Sequence, residues 1–512
     1  MAAPSDKLAQ SLETLKSLQD RGIVAIRTKD MTRTHRERLL KNGFIKEVMK
    51  GWYISSRPDE SAGESTAWYA SFWGFCSNYL RSRFNDQWCL SPEQSLSIHS
   101  GNWSVPKQLL VRSPKGGNKP IGLLHKTSIF DVRLTLPDQQ DIETIDAIQV
   151  MSLPVALVSC APGHFSAHPI EMRAALATVS SASDILHRLL SGGHSKVAGR
   201  LAGAFRNIGR NNIAENIIET MKSAGYTVNE NDPFEDKPSI IFPAREVSPY
   251  VNRLRMSWAA MRNPVLKHFP PSPSTSIDTQ TYLKQIDDIY VTDAYHSLSI
   301  EGYQVTTELI ERVRRGHWNP DSDENDRNQR NAMAARGYWQ AFQAVKESVN
   351  KVLSRKTDEL ASKVISGTVA EADHEKWYRE LFAPSVTAGI LEATDLAGYR
   401  NHPVYIRRSM HVPPNYQAVR ELMPTFFDLL QNEKEPAVRV VLGHYFFVYI
   451  HPYMDGNGRM GRFLMNVMLA SGGYPWMVVP VEQRANYMAA LEEASVNQDI
   501  IPFTDFLAGL RV

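Results

Sequence analysis

The hydrophobic rhythm of the 512-residue chain changes several times along its length. Leu8, Leu12, Leu15 and Leu18 recur near a three-to-four spacing, which predicts a helix over residues 8–18. Beyond Gly22 and the apolar run Ile23-Val24-Ala25-Ile26 comes TKDMTRTHRERLLKNG. This second helix-like stretch should stop at Gly43, because glycine accepts the left-handed turn that ends a helix. FIKEVMKGWYI then alternates apolar and polar residues around Gly51, as the two strands of a wing do. Helix, turn, basic helix and hairpin in that order predict a winged helix-turn-helix over residues 1–60.

Residues 61–235 read as a mixed α/β domain. The runs KQLLVRSP, IGLLHKTSIFDVRLTL and IDAIQVMSL predict short strands, and helices follow from about Pro154 to Ala224. His99 and His125 in this part are read as structural groups. A linker with one helix is expected over 236–276, ending in the Pro/Ser run Pro270–Ser276, whose composition supports no packed element. From 277 to 512 the pattern is helical. AVRVVLGHYFFVYI is apolar nearly all round, which predicts a buried helix at the centre of a bundle. Pro452 and two glycines interrupt it, and RMGRFLMNVMLA resumes helical spacing until Gly472-Gly473. The fold class that emerges is multidomain and mainly α.

Composition narrows the class. At 43% hydrophobic and 22% charged residues the chain belongs with soluble globular proteins, which excludes disordered and fibrous classes. Its length implies about two to four domains. Three cysteines, Cys76, Cys89 and Cys160, offer neither a disulfide framework nor zinc spacing. No run reaches the roughly 18 apolar residues of a membrane span, so a cytoplasmic location without membrane contact is expected. Charge is uneven: residues 1–58 carry 12 Lys/Arg against 6 Asp/Glu, and the remainder is net acidic. That places a polyanion partner at the front, with Arg33, Arg36, Arg38 and Lys41 on the basic helix and Lys46 and Lys50 on the wing as candidate DNA contacts.

The chemistry concentrates in HPYMDGNGRMGR, His451 to Arg462. It forms a loop between two helices and opens onto the N-terminus of the second. The free amides of a first helical turn, joined to a glycine-rich turn, make a concave anion site for which a phosphate chain is the natural occupant. Arg459 and Arg462 lie three residues apart on one helical face and can grip successive phosphates. Asp455 supplies a hard oxygen suited to Mg²⁺ shared with substrate phosphates. His451 is the residue type that takes a hydroxyl proton near neutral pH.

This stretch resembles the signature of the Fic family: histidine, proline and an aromatic, then an acidic residue, Gly-Asn-Gly-Arg, and a second Arg three positions on. Tyr453 stands where phenylalanine is commonest. The resemblance runs from about residue 277 to 512 and implies an all-α Fic domain that transfers AMP from ATP to a hydroxyl side chain of a protein target, releasing pyrophosphate. In that scheme His451 deprotonates the hydroxyl and Asp455 holds Mg²⁺. Asn457 with the Gly456 and Gly458 backbone steadies the α-phosphate, while Arg459 and Arg462 bind the β- and γ-phosphates. Ser297-Leu298-Ser299-Ile300-Glu301-Gly302 resembles the family's inhibitory motif, which implies that Ser297, Glu301 and Gly302 belong to a helix whose glutamate pairs with Arg462 and blocks the γ-phosphate. LAGYRNHPVYIRRSMHVPP, Leu396 to Pro414, reads as an extended hairpin, and the resemblance makes it a β-hairpin flap on which a target segment docks. Arg400, Arg407 and Arg408 within it read as a solvated rim.

The front of the chain resembles the AbiEi-like antitoxin and transcriptional-regulator family, on RGIVAIRTKD, LLKNGFIKEVMKGWYI and LSPEQSLSIHSG. That resemblance implies a winged helix joined to an α/β domain, a DNA operator as partner and a toxin–antitoxin setting. The function expected from the whole is an autoinhibited protein adenylyltransferase coupled to a DNA-binding regulator, with Mg²⁺ as cofactor, ATP as substrate and a homodimer compatible with it. The competing expectation is a transcriptional regulator or antitoxin whose Fic domain only senses nucleotide.

Overall fold

The computed structural model describes residues 4–60, 64–235, 248–273, 278–317, 329–354 and 362–510. The chain forms two compact units, Met1–Met256 with Tyr405–Val412, and Ser257–Val404 with Pro413–Val512.

In the first unit the helices Pro4–Asp20 and Arg33–Lys41 pack on a three-stranded sheet. Strand Trp52–Ser55 lies between Ile26–Arg27 and Ile45–Met49, antiparallel to both, with Ile26 opposite Tyr53 and Ile45 opposite Ser55. Leu15, Leu18, Ile26, Leu39, Ile45 and Tyr53 form a small shared core, which fixes which faces of the helices point inward. Thr32 caps the second helix by accepting from the His35 amide, and Gly43 follows it with φ +73°. A second, four-stranded sheet is mixed: Gln108–Ser113 runs parallel to Ser128–Arg133, flanked by Cys89–Leu90 and Pro120–Gly122. The pair Ile142–Ile145 and Ile148–Met151 follows, and a helical stretch from Leu153 to Ser223 closes this part.

Eight residues from late in the chain complete the unit. Met410 and Val412 pack against the core around Trp68, Phe72 and Phe75, and the Val105 amide donates to the Met410 carbonyl at 2.8 Å. Arg407 and Arg408 both reach the buried Glu64 carboxylate, at 3.0 and 3.2 Å. Burial opposes that charge, but bonds from Thr66 and Arg407 and the two guanidiniums outweigh it and hold the carboxyl down to about 2.

The described residues of the second unit form helices joined by loops, without a strand. Helix Pro436–Ile450 is buried at every position from Ala437 to Ile450 except Val448, as its uniform apolarity predicts. It packs along Asn457–Ser471, and around this pair stand Thr279–Ile300, Gln329–Ser354, Ser362–Thr387 and Val419–Asn432. Of the expected linker, 236–247 and 274–276 lie outside the described residues, while Pro249–His268 is a packed helix with Val251, Leu254, Trp258 and Met261 buried. Among the described residues no helix is long and apolar enough to cross a membrane.

The flap is where sequence pattern and structure part. No strand forms between Leu396 and Pro414. Alternation alone names no partner strand, Pro403, Pro413 and Pro414 lack the amide a ladder needs, and Arg408 adopts φ +62°.

One buried acid in this unit gives a testable signature. Asp293 accepts a 2.7 Å bond from the Tyr338 hydroxyl, and burial raises its pKa to about 6 despite that bond and the nearby Arg462 charge. A carboxyl raised on folding keeps its proton in the folded chain over a pH range where the unfolded chain has lost it. Stability should therefore fall as pH rises from about 4 to about 6 and stay lower above. Asp293→Asn is expected to gain on the wild type by about 1–3 kcal/mol between pH 4 and pH 8. Thermal melting at the two pH values checks this, and a constant difference would refute it.

Candidate active site

The loop after Pro436–Ile450 begins with a left-handed residue. His451 caps the helix at φ +53°, a conformation uncommon outside glycine, and its amide still donates to the Phe447 carbonyl. Its Nδ1 lies 3.1 Å from the Val448 carbonyl oxygen, which can only accept, so Nδ1 carries the proton and Nε2 keeps a lone pair. Burial pushes this imidazole down to about 4; the bond to Val448 opposes the shift and the Arg400 charge adds to it. The ring is thus a neutral base at neutral pH.

The turn is braced from within. Asn457 Oδ1 accepts from the Tyr453 amide at 2.9 Å and its Nδ2 donates to the Tyr453 carbonyl at 2.8 Å. The buried Asn457 amide therefore holds the loop, leaving one donor hydrogen and one acceptor site for anything else. Tyr453 is itself buried and stacks on Tyr378 with centroids 3.8 Å apart, so the aromatic position of the motif is a packing anchor. Gly456 has φ +81°, and a side chain there would meet the Phe382 ring at 2.7 Å, so glycine is required twice over.

Helix Asn457–Ser471 starts here with glycine at its N-cap, so that position supplies no side-chain cap to the first amides. Arg459 and Arg462 are both buried. Arg459 lies between the Tyr303 and Phe382 rings, 5.2 and 5.0 Å from their centroids, and reaches Asp455 at 3.5 Å. Arg462 donates from Nε to Ser297 Oγ at 2.9 Å and from one terminal nitrogen to the Ser297 carbonyl at 3.0 Å and to Glu301 at 2.7 Å. Burial works against the Arg462 charge, but Glu301 more than compensates and raises its pKa. Among the described residues, Arg459 Nε and a second terminal nitrogen of Arg462 are buried donors without a hydrogen-bonded acceptor, which suits an anion.

Glu301 is the C-cap of helix Thr279–Ile300, and Gly302 follows at φ +88°. Its carboxylate stands against Gly458, so close that a methyl group there would overlap Oε1. One acid therefore occupies both the Arg462 fork and the start of the helix, the two anion-attracting features of the loop. Asp455 is largely exposed and accepts from the Gly456 amide at 2.6 Å. Among the described residues no cluster of three His, Cys, Asp or Glu could hold a metal. Asp455 fits Mg²⁺ only as one ligand, with phosphates and water supplying the rest.

The expected site residues His451, Asp455, Gly456, Asn457, Gly458, Arg459, Arg462, Ser297, Glu301 and Gly302 thus gather in one region of the second unit. His444 and Tyr445 are packing groups, bonded to the Tyr487 hydroxyl and the Ala494 carbonyl. The rim expected for Arg400 is corrected: it is 2% exposed and bonded to backbone carbonyls. Tyr303 and Phe382 were not legible as site residues, although Tyr303 directly follows Ser297–Gly302.

In the first unit the candidate DNA contacts divide. Arg38 turns inward, bonding to the Lys7 carbonyl and Ser11 Oγ, and Arg36 reaches the Thr28 carbonyl. Arg33 is exposed beside Glu37 at 2.6 Å, Lys41 and Lys50 are exposed, and Lys46 is half-buried.

Residues 370–469 match the sequence profile of the Fic/DOC family, which places a Fic domain around the loop just described. Over 114 residues the chain is 40% identical to the protein adenylyltransferase Fic of Drosophila willistoni, 22% of each protein. Over 124 residues it is 35% identical to protein adenylyltransferase fic-1 of Caenorhabditis elegans, 23% of this chain and 24% of that one. The match thus spans less than a quarter of these relatives' length. A solved structure of Fic-1 (residues 134–508) from C. elegans is similar at 19% identity and a TM-score of 0.35, covering 67% of this chain and 88% of that one. A Fic-domain signalling protein from Bacteroides thetaiotaomicron is similar at 17% identity and a TM-score of 0.33, covering 51% and 91%.

Proposed function

We propose that this chain is a protein adenylyltransferase that moves AMP from ATP to a hydroxyl side chain of a protein target, locked by its own Glu301 and coupled to a DNA-binding front region. The observation that carries the reading is the convergence on one loop of a neutral imidazole with a free Nε2, a helix N-terminus with glycine at its N-cap and two buried guanidiniums. The naming of the relatives as protein adenylyltransferases supports it.

In this reading His451 Nε2 takes the proton of the acceptor hydroxyl as its oxygen attacks the α-phosphorus. The new O–P bond forms, the bond to the β-phosphate oxygen breaks, and pyrophosphate leaves; the proton passes from His451 to solvent. Arg459 and Arg462 hold the outer phosphates, and the first-turn amides with the remaining Asn457 hydrogen face the charge that develops. Mg²⁺, bound through Asp455, would neutralise phosphate charge. Target docking is assigned to the part of the flap segment that shares the unit of His451, Leu396–Val404. Glu301, standing in the Arg462 fork, competes with the γ-phosphate and leaves ATP misaligned for in-line attack. Mass spectrometry after incubation with ATP and Mg²⁺ decides between this reading and a nucleotide sensor: a gain of one AMP on the chain or a lysate protein supports the enzyme.

The front 60 residues are assigned to operator DNA through Arg33, Arg36, Lys41, Lys46 and Lys50, with Arg38 spent on helix packing. The uneven basic charge supports this. A gel shift with upstream DNA should weaken steeply with salt, and no shift at low salt would count against it.

A further inference from the structure

Arg400 is a buried cation bonded to backbone carbonyls. Its Nε donates to the His451 carbonyl at 2.8 Å, and its terminal nitrogens reach the carbonyls of Ile450 at 3.5 Å, His402 at 3.2 Å and Pro414. Its own amide donates to the Pro452 carbonyl at 2.9 Å. Burial pushes its pKa down to about 10, but it stays charged at neutral pH. One planar fork thus joins the end of the buried helix, the left-handed His451 and two points within the flap segment, at Arg400–His402 and at Pro414. Five N–H groups in a fixed plane allow this, where an ammonium point charge cannot span the same set.

From this geometry we infer that Arg400 is a positioning residue: its guanidinium fixes the His451 backbone in its left-handed turn, aims Nε2, and ties the base to the segment that presents the acceptor. The His451 carbonyl is the acceptor at the centre of this latch, and a left-handed non-glycine residue needs surrounding structure to hold it. The charged groups facing the imidazole are Arg400, Glu301 from the end of helix Thr279–Ile300, and Asp455 from its own loop. Arg400 is the one cation among them, and its loss should let the ring gain a proton at higher pH.

The kinetic part rests on the proposed AMP transfer; the His451 part does not. The test uses the full chain carrying Glu301→Gly, with Arg400→Lys and Arg400→Gln added separately. Transfer from labelled ATP should show kcat lowered about 10- to 100-fold in both, with KM for ATP within about twofold. Ring NMR of His451 should show an upward-shifted midpoint in Arg400→Gln and a displaced signal in Arg400→Lys. Undiminished kcat in Arg400→Lys, or an unchanged His451 ring signal in that variant, overturns the inference. If Glu301→Gly alone transfers no AMP, the functional reading fails, and the His451 signal by itself decides on Arg400.

Discussion

Glu301→Gly is expected to raise AMP incorporation by at least about tenfold over the wild type at equal ATP and Mg²⁺, read as labelled protein or as mass gain. The carboxylate removed is 2.7 Å from Arg462 and overhangs Gly458. Its loss frees the fork and the helix start together. The same substitution carries a cost that serves as a second readout. Arg462 is only 5% exposed, and removing its acid leaves a buried guanidinium that keeps its two Ser297 contacts but loses its carboxylate partner. The variant should melt below the wild type without nucleotide and gain more from added ATP, since a ligand that binds only the folded state stabilises in proportion to its affinity. Equal activity and equal ATP-induced shifts in both proteins would remove Glu301 from any regulatory role.

His451→Ala in the Glu301→Gly background should lower transfer by at least about 10²- to 10⁴-fold while ATP still stabilises the fold, because the imidazole acts on the hydroxyl and the phosphates are held elsewhere. The pH dependence follows from the same site. An imidazole held down to about 4 is already deprotonated above roughly pH 5, so the loss of rate seen with an ordinary histidine near 6.5 should be absent from kcat/KM. Bound triphosphate adds negative charge beside the ring and raises its pKa, so the acid limb of kcat should lie above that of kcat/KM. Retained transfer in His451→Ala, or a kcat/KM that falls by half near pH 6.5, would sink the assignment of His451 as base.

How much of this could be read from the chain follows from distance along it. His451 through Arg462 sit within one turn and one helix start, so residue chemistry and spacing are enough to outline an anion site. Glu301 lies 161 positions from Arg462, and only the resemblance of SLSIEG to an inhibitory motif linked them. Arg400 was misread for a physical reason: its acceptors are main-chain oxygens 2, 14, 50 and 51 residues away, and carbonyls leave no mark in a side-chain pattern. The flap was misread because alternation specifies a pleated face and not the partner that would make it a strand. Arg38 looked like a phosphate contact because a basic helix face does not reveal which arginine a neighbouring helix will claim.

The eight residues Tyr405–Val412 are covalently part of one lobe and folded into the other. A body assembled from two stretches of polypeptide cannot be released by a single proteolytic nick: after a cut near residue 256, separating the pieces would still have to strip Met410 and Val412 from their apolar seat and both cations from Glu64. Recombination that exchanged the front of this gene for another would meet the same obstacle, and would have to bring a matching octapeptide with it.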